Sequence, residues 1–255
     1  MLLPIGDDNR DRHTTPLVNY FLILLNIFVF VYWQQLGHDI NFTFAYSAVP
    51  AEILSGRDIV TGAEIVHDPI TGEPVTLPGL APTPVPVYLT LFTSMFMHGG
   101  LAHIAGNMLF LWIFGDNLEH AMGRMKYLIF YLLCGVLASL SHVFTASFLE
   151  QNTLVPSLGA SGAISGVLAG YMLTFPRRRV HVWILFSIIS LPAFLVVGIW
   201  FVFQLINGMG MLGGNEAAGG IAYAAHIGGF IAGLILVKFF VHKQPPVAQK
   251  RKLFW

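Results

Sequence analysis

The chain has 255 residues, of which 55% are hydrophobic and 10% charged, and its formal net charge is zero. Soluble globular domains carry about 25% charged residues, so a fully water-facing surface is excluded and a polytopic membrane protein is the class that fits. The balanced charge also argues against nucleic acid as a partner, because that ligand selects basic patches.

Residues 1–16 read as a charged cytoplasmic leader, with Asp7 to His13 ahead of the first apolar run. Crossing a hydrocarbon core takes about 20 apolar residues, and residues 17–36 supply the first such run. It is too long for a signal-peptide core, and Tyr32-Trp33-Gln34-Gln35 follows where a small-residue cleavage site would stand. The run is therefore expected to be a retained span. With no organelle transit segment read ahead of it, a bacterial plasma (inner) membrane is the expected location. Residues 37–88 form a long outer loop rich in Pro and Gly, in which His67 to Pro74 reads as turn material for a small hairpin.

Further spans are predicted at about 101–121, 125–146, 161–175, 180–206 and 221–241. The lone Cys134 lies in an apolar run, which leaves no intramolecular disulfide and no Cys-based metal site. Residues 242–255 form a basic cytoplasmic tail suited to anionic lipid. Placing the N-terminus inside puts twelve of the thirteen Lys and Arg residues on the cytoplasmic side and leaves Arg57 outside. That asymmetry obeys the positive-inside rule only with an even number of spans. The expectation is an all-α membrane protein with six transmembrane helices over 17–241, both termini cytoplasmic, and the long loop between helices one and two. Oligomeric state is not legible.

Polar residues inside spans are costly and point to function. Three groups stand out: His98, His103 and Asn107 around the second span, Ser161 opening the fourth, and His226 in the sixth. From Ser161 to the Arg177 cluster is sixteen residues, about 24 Å of helix against a core of about 30 Å. The fourth helix therefore starts below the outer surface. His226 and Asn107 fall at similar depth by the same arithmetic. Gly162, Gly166 and Gly170 recur every four residues on the fourth span, as do Ala225, Gly229 and Gly233 on the sixth. Small residues at that spacing let membrane helices approach closely, which makes a serine–histidine hydrogen bond sterically feasible.

Each feature has a plainer alternative: the stripes as packing faces, Ser161 as an N-cap, and His103 with Asn107, four apart on one helix face, as helix-to-helix hydrogen bonds. The functional alternatives are a nucleophile at a helix N-terminus, where unpaired N–H groups and the dipole favour a developing oxyanion, and side-chain donors to that oxyanion. No His-Glu-x-x-His is present and no carboxylate adjoins His98 or His103, so no metal is expected. His120, His142, His181 and His242 lie near predicted span ends, where interfacial or solvated roles are the default.

The segments His98-Gly-Gly-Leu-Ala-His103-Ile-Ala-Gly-Asn107, Gly159-Ala-Ser161-Gly162 and Ala225-His226-Ile-Gly-Gly229-Phe-Ile-Ala-Gly233, in that order, resemble the rhomboid intramembrane serine proteases. The resemblance is clearest from about residue 86 to 240. It implies a Ser–His dyad without an acidic third member: Ser161 as nucleophile, and His226 as general base and then general acid. It further implies an oxyanion held by the Asn107 side chain, His103 and the Ser161 N–H, with His98 shaping the loop before the second helix. Gly159 and Gly162 flank the nucleophile in the same motif. Gly229 and Gly233 would be close-packing residues, while Glu119 and Gly123 would end the second helix. Substrates would be transmembrane segments of proteins in the lipid bilayer, cut with no cofactor, and the fifth span, carrying Pro192 and a glycine-rich exit at 208–214, would serve as a lateral gate.

The chain departs from the family pattern in lacking an evident Trp-Arg pair in the outer loop, in Ser165 where some members carry a tyrosine stacked on the histidine, and in Ala121 where a basic residue is usual. Orientation of His226 then has to come from other groups, such as Phe230 or another aromatic. A non-catalytic membrane chaperone of the same fold is the first rival, although such relatives usually lack the serine or the histidine. A transporter is the second, but internal repeats and mid-span charges are missing.

Overall fold

The computed structural model describes residues 3–67, 73–212 and 221–241. Six long helices carry the architecture. The first, α1, runs over Leu17–Phe28 and continues through a π-helical turn to Trp33. In the loop after α1 lie two short helices, α2 (Ile40–Ala45) and α3 (Pro50–Ser55), and a hairpin of β2 (Glu64–His67) with β3 (Pro74–Leu77). A short α4 (Thr90–Thr93) then precedes α5 (Leu101–Met122), α6 (Arg124–Phe148) and α7 (Ser161–Thr174). The last two helices are α8 (Ala193–Leu212) and α9 (Ile221–Phe240).

The predicted second, third, fourth and sixth spans coincide with α5, α6, α7 and α9 to within two residues at each end. The fifth does not. Residues 179–192 form an antiparallel hairpin, β4 (Arg179–Ile184) and β5 (Ser187–Pro192), and the helix begins only at Ala193. Strand β1 (Leu3–Asp7) pairs with β4 to complete a three-stranded sheet, so the leader is structured. Pro192 ends a strand rather than interrupting a helix, and Gly208 and Gly210 lie within α8. The remainder of the predicted glycine-rich exit, 213–214, and the tail from 242 lie outside the described residues.

Helix α7 sits between α6, α9 and α5, and every one of its residues from Gly162 to Tyr171 is buried. Its glycines explain the approach. A Cβ on Gly233 would come within 2.6 Å of the Gly166 Cα, one on Gly229 within 2.9 Å of the Gly162 carbonyl carbon, and one on Gly162 within 2.6 Å of the Ala138 Cβ. These separations leave room for hydrogen alone, so the two glycine stripes face each other backbone to backbone. Cys134, fully buried, packs against Gly166.

Many large apolar side chains are exposed on the outside of the bundle. Among the described residues, α6 and the Tyr223–Phe240 part of α9 are long and apolar enough to cross a membrane, with mean hydropathies of 1.9 and 1.6 over their best windows. Only 44% and 28% of those windows are buried. Phe148 is 86% exposed and Phe239 74%, an arrangement that hydrocarbon accommodates and water does not.

At the end of the bundle opposite Ser161, polar groups are densely paired. Glu119, closing α5, accepts the N–H groups of Val18 (3.2 Å) and Asn19 (2.7 Å), supplying the cap that Pro16 does not give α1. Tyr127 donates to Asn19 Oδ1 at 2.8 Å, and Asn19 donates to the Leu111 carbonyl at 3.0 Å. Asp7 takes hydrogen bonds from Asn117 and Tyr171, Arg178 reaches Asn117, and Arg12 lies 3.2 Å from Asp116. Burial raises the Asp7 carboxyl above its ordinary value, against the lowering effect of the Tyr171 hydroxyl. In the loop after α1 burial likewise raises Glu52, which accepts from Ile59 N–H at 3.1 Å and so ties the chain beyond α3.

Candidate active site

Ser161 is the first residue of α7, and the turn that delivers it depends on Gly159. Gly159 adopts φ +117°, a region open to glycine, and its N–H donates to the Ser94 carbonyl at 2.8 Å. Just upstream, Ser157 and Ala48 exchange backbone hydrogen bonds at 2.8 and 3.0 Å. The loop between α1 and α5 thus anchors the segment that presents the serine. With 14 residues, α7 is about 21 Å long, and Ser161 is only partly buried at its head.

His226 projects from α9 at the level where Gly162 and Gly229 meet. Its Nε2 lies 2.8 Å from the Ser161 Oγ, and its Nδ1 lies 2.8 Å from Oε1 of Gln204 on α8. Around the ring stand Trp200 (centroids 6.1 Å apart) and Tyr223 (6.3 Å, perpendicular). Phe230, suggested from sequence as an orienting aromatic, instead stacks on Phe201 at 4.0 Å and meets Trp200 at 6.3 Å. Gln204 and Trp200 escaped the sequence reading. A single Gln in an apolar helix is a weak cue, and only the tertiary arrangement reveals what it faces. Ser165 points away from the histidine: its hydroxyl donates to the Ser161 carbonyl at 2.7 Å.

Asn107 and His103 flank the Gly159 turn. A Cβ at Gly159 would sit 2.8 Å from His103 Nε2 and 3.7 Å from Asn107 Nδ2. The Asn107 Nδ2 is buried and has no hydrogen-bond partner, an unusual condition that costs about 1–3 kcal/mol. His103 Nδ1 accepts the Gly99 N–H at 3.4 Å, which leaves Nε2 to carry the ring hydrogen. His98 is fully buried beside His103, ring centroids 5.2 Å apart, and its backbone is gripped in both directions by the Gln34 amide at 3.0 and 2.8 Å. The structure therefore groups Ser161, His226, His103, Asn107, His98 and Gly159 at one end. It uses Gly162, Gly229 and Gly233 to bring α7 and α9 together, and places Glu119 at the opposite end.

The remaining histidines divide. His120 contacts Thr14 at 2.8 Å and His181 contacts Ser190 at 2.8 Å, both half-buried. His142 is buried within α6, contrary to the interfacial role expected of it, because α6 extends past it to Phe148. His242 lies outside the described residues. No group of three or more His, Cys, Asp or Glu suited to a metal occurs among the described residues.

An apolar cleft opens between α5 and α8, lined by Phe110, Phe114, Val196, Trp200 and Phe203, with Pro4 of β1 entering from the sheet side. Trp200, which lines this cleft, also stands beside His226.

A Rhomboid domain family model matches residues 86–243. The chain is 30% identical over 165 residues to "Rhomboid protein 1, mitochondrial" of Saccharomyces cerevisiae, covering 65% of this chain and 45% of that protein. It is 31% identical over 155 residues to "Presenilin-associated rhomboid-like protein, mitochondrial" of Homo sapiens, covering 58% and 37%. It is 32% identical over 146 residues to "RHOMBOID-like protein 4" of Arabidopsis thaliana, covering 57% and 32%. The chain thus spans less than half the length of these relatives. All three are eukaryotic and two are named as mitochondrial, so the expected bacterial plasma membrane finds no support among them. With the family model matching well over half of its length, and with the apolar helices described above, the chain belongs to the rhomboid family of membrane proteins.

Proposed function

We propose that this chain is an intramembrane serine endopeptidase that cuts transmembrane segments of other membrane proteins, using Ser161 and His226. The observation that carries the reading is the 2.8 Å separation of Ser161 Oγ and His226 Nε2, joined by two helices that touch through glycine. The six long helices are read as six spans with both termini on the cytoplasmic side, in keeping with the Lys/Arg asymmetry. Substrate segments would come in from the bilayer through the α5–α8 cleft.

The chemistry is acyl transfer. Ser161 Oγ gives its proton to the neutral His226 Nε2 as it attacks the scissile carbonyl carbon. The carbonyl oxygen becomes an oxyanion, for which the unpartnered Asn107 Nδ2–H and the His103 Nε2–H are donors close at hand. Collapse breaks the C–N bond, and His226 returns the proton to the departing amine. Water then gives a proton to His226 and its hydroxide oxygen to the acyl carbon; the C–Oγ bond breaks, His226 returns that proton to Ser161 Oγ, and the carboxylic acid leaves. Because α7 is shorter than the core is thick, Ser161 lies below the outer surface, and the polar cluster of His103, Asn107, His226 and Gln204 gives water a route to it.

A non-catalytic chaperone of the same fold is the alternative. The intact serine–histidine contact favours the enzyme. Purified protein in lipid vesicles with a single-span substrate tests it: the wild type is expected to cleave and Ser161→Ala and His226→Ala to leave the substrate whole. Equal cleavage by all three, or by none, would refute the proposal.

A further inference from the structure

We infer that Gln204 is the positioning residue of the Ser161–His226 pair, and that it makes the reactive form of His226 conditional on the seating of α8. This rests on the dyad reading above. For Ser161 to donate its proton, Nε2 of His226 has to be bare, and a neutral imidazole with a bare Nε2 carries its hydrogen on Nδ1. That hydrogen needs an acceptor. Gln204 Oε1 stands 2.8 Å from Nδ1, and Ser161 Oγ stands 2.8 Å from Nε2, so one ring is held at both ends by side chains from two other helices. A carbonyl acceptor orients the ring and stabilises the imidazolium formed during attack, as the carboxylate does in three-membered serine protease sites, through a neutral dipole instead of a charge.

The amide has only one productive orientation. Turned over, its N–H group would donate to Nδ1, move the ring hydrogen to Nε2, and present Ser161 with a donor where it needs an acceptor.

Gln204 comes from α8, one turn after Trp200, and both reach His226. Helix α8 is held to α9 by Phe201 stacked on Phe230 at 4.0 Å and by Trp200 beside Phe230 at 6.3 Å. The same Trp200 lines the α5–α8 cleft. Any displacement of α8 that widens the cleft withdraws the acceptor from Nδ1. The pair is therefore competent when α8 is seated and loses its preferred tautomer when α8 swings out.

Two readouts test this. With a transmembrane substrate, Gln204→Leu is expected to lower kcat by about 10- to 100-fold with KM within about twofold, while Gln204→Glu, which keeps an acceptor, retains kcat within about tenfold of wild type. Nitrogen-15 NMR of histidine-labelled protein, with His226 assigned by its absence in His226→Ala, is expected to show the Nδ1–H tautomer in wild type and a mixture in Gln204→Leu. Wild-type kcat together with an unchanged tautomer in Gln204→Leu would overturn the inference. So would a loss of activity in both variants without any tautomer change, since a structural role alone produces that. If Ser161→Ala cleaves as well as wild type, the dyad reading fails, and the tautomer measurement still decides the place of Gln204.

Discussion

The two ends of the helix bundle both bury polar side chains, and they differ in what those side chains meet. At the end away from Ser161, Glu119, Asn19, Tyr127, Asn117, Asp7 and Tyr171 exchange hydrogen bonds across α1, α5, α6, α7 and β1. At the Ser161 end, Ser161 and His226 pair with each other, while Asn107 holds a buried N–H that nothing accepts. Desolvated polar groups that are satisfied hold helices in register. A desolvated donor left free carries a standing cost that a transient oxyanion can relieve. Asp7 Oδ1 at the far end is also buried without a hydrogen-bond partner; what singles out Asn107 is that its free donor lies on the side of the Gly159 turn that presents Ser161.

Substitutions should separate the two ends. The largest effects belong to Ser161→Ala and His226→Ala, which are expected to reduce cleavage to background while leaving thermal unfolding close to wild type. A large fall in unfolding temperature would mean that the Ser161 end is structural after all. Next is Asn107→Ala, expected to slow turnover by about 10²–10³-fold with little loss of stability, since the amide has no partner to lose. Loss of stability with unchanged kcat would reverse its assignment.

Gly233→Val probes the seam that joins the ends. Its side chain would meet the Gly166 backbone, and overpacking of this kind costs about 1–3 kcal/mol or more, read as a lower unfolding temperature and as loss of activity together. The smallest effect is expected from Tyr171→Phe, which removes the hydroxyl that Asp7 accepts. It should cost about 1–3 kcal/mol, with kcat per folded molecule unchanged. A drop in kcat would show that the two ends are coupled.

Much of this was legible in the residues themselves, because α5, α6, α7 and α9 are largely apolar runs bounded by Gly, Arg or Ser, with α7 too short to cross the core. The serine, the histidines and the glycine stripes stood out against that background. The start of the fifth helix did not. Val180, Val182, Ile184, Ile188 and Ile189 are as compatible with a strand as with a buried helix, and the turn between β4 and β5 carries Leu185 and Phe186 instead of Asn-Gly. Leu185 takes φ +52° there, a conformation the sequence does not advertise. The contact between Gln204 and His226 was hidden for a different reason: it joins α8 to α9 across space, and periodicity along one helix says nothing of which neighbour a lone Gln meets.

The most direct test of an activated serine is covalent capture. A fluorophosphonate probe should form an adduct on Ser161 of the wild-type protein in lipid, located by mass spectrometry, and on His226→Ala the adduct should be absent or slower by about 10²-fold or more. Labelling of His226→Ala at the wild-type rate, or no adduct at Ser161 in a protein that still cleaves, would contradict the assignment of Ser161 and His226 as a working pair.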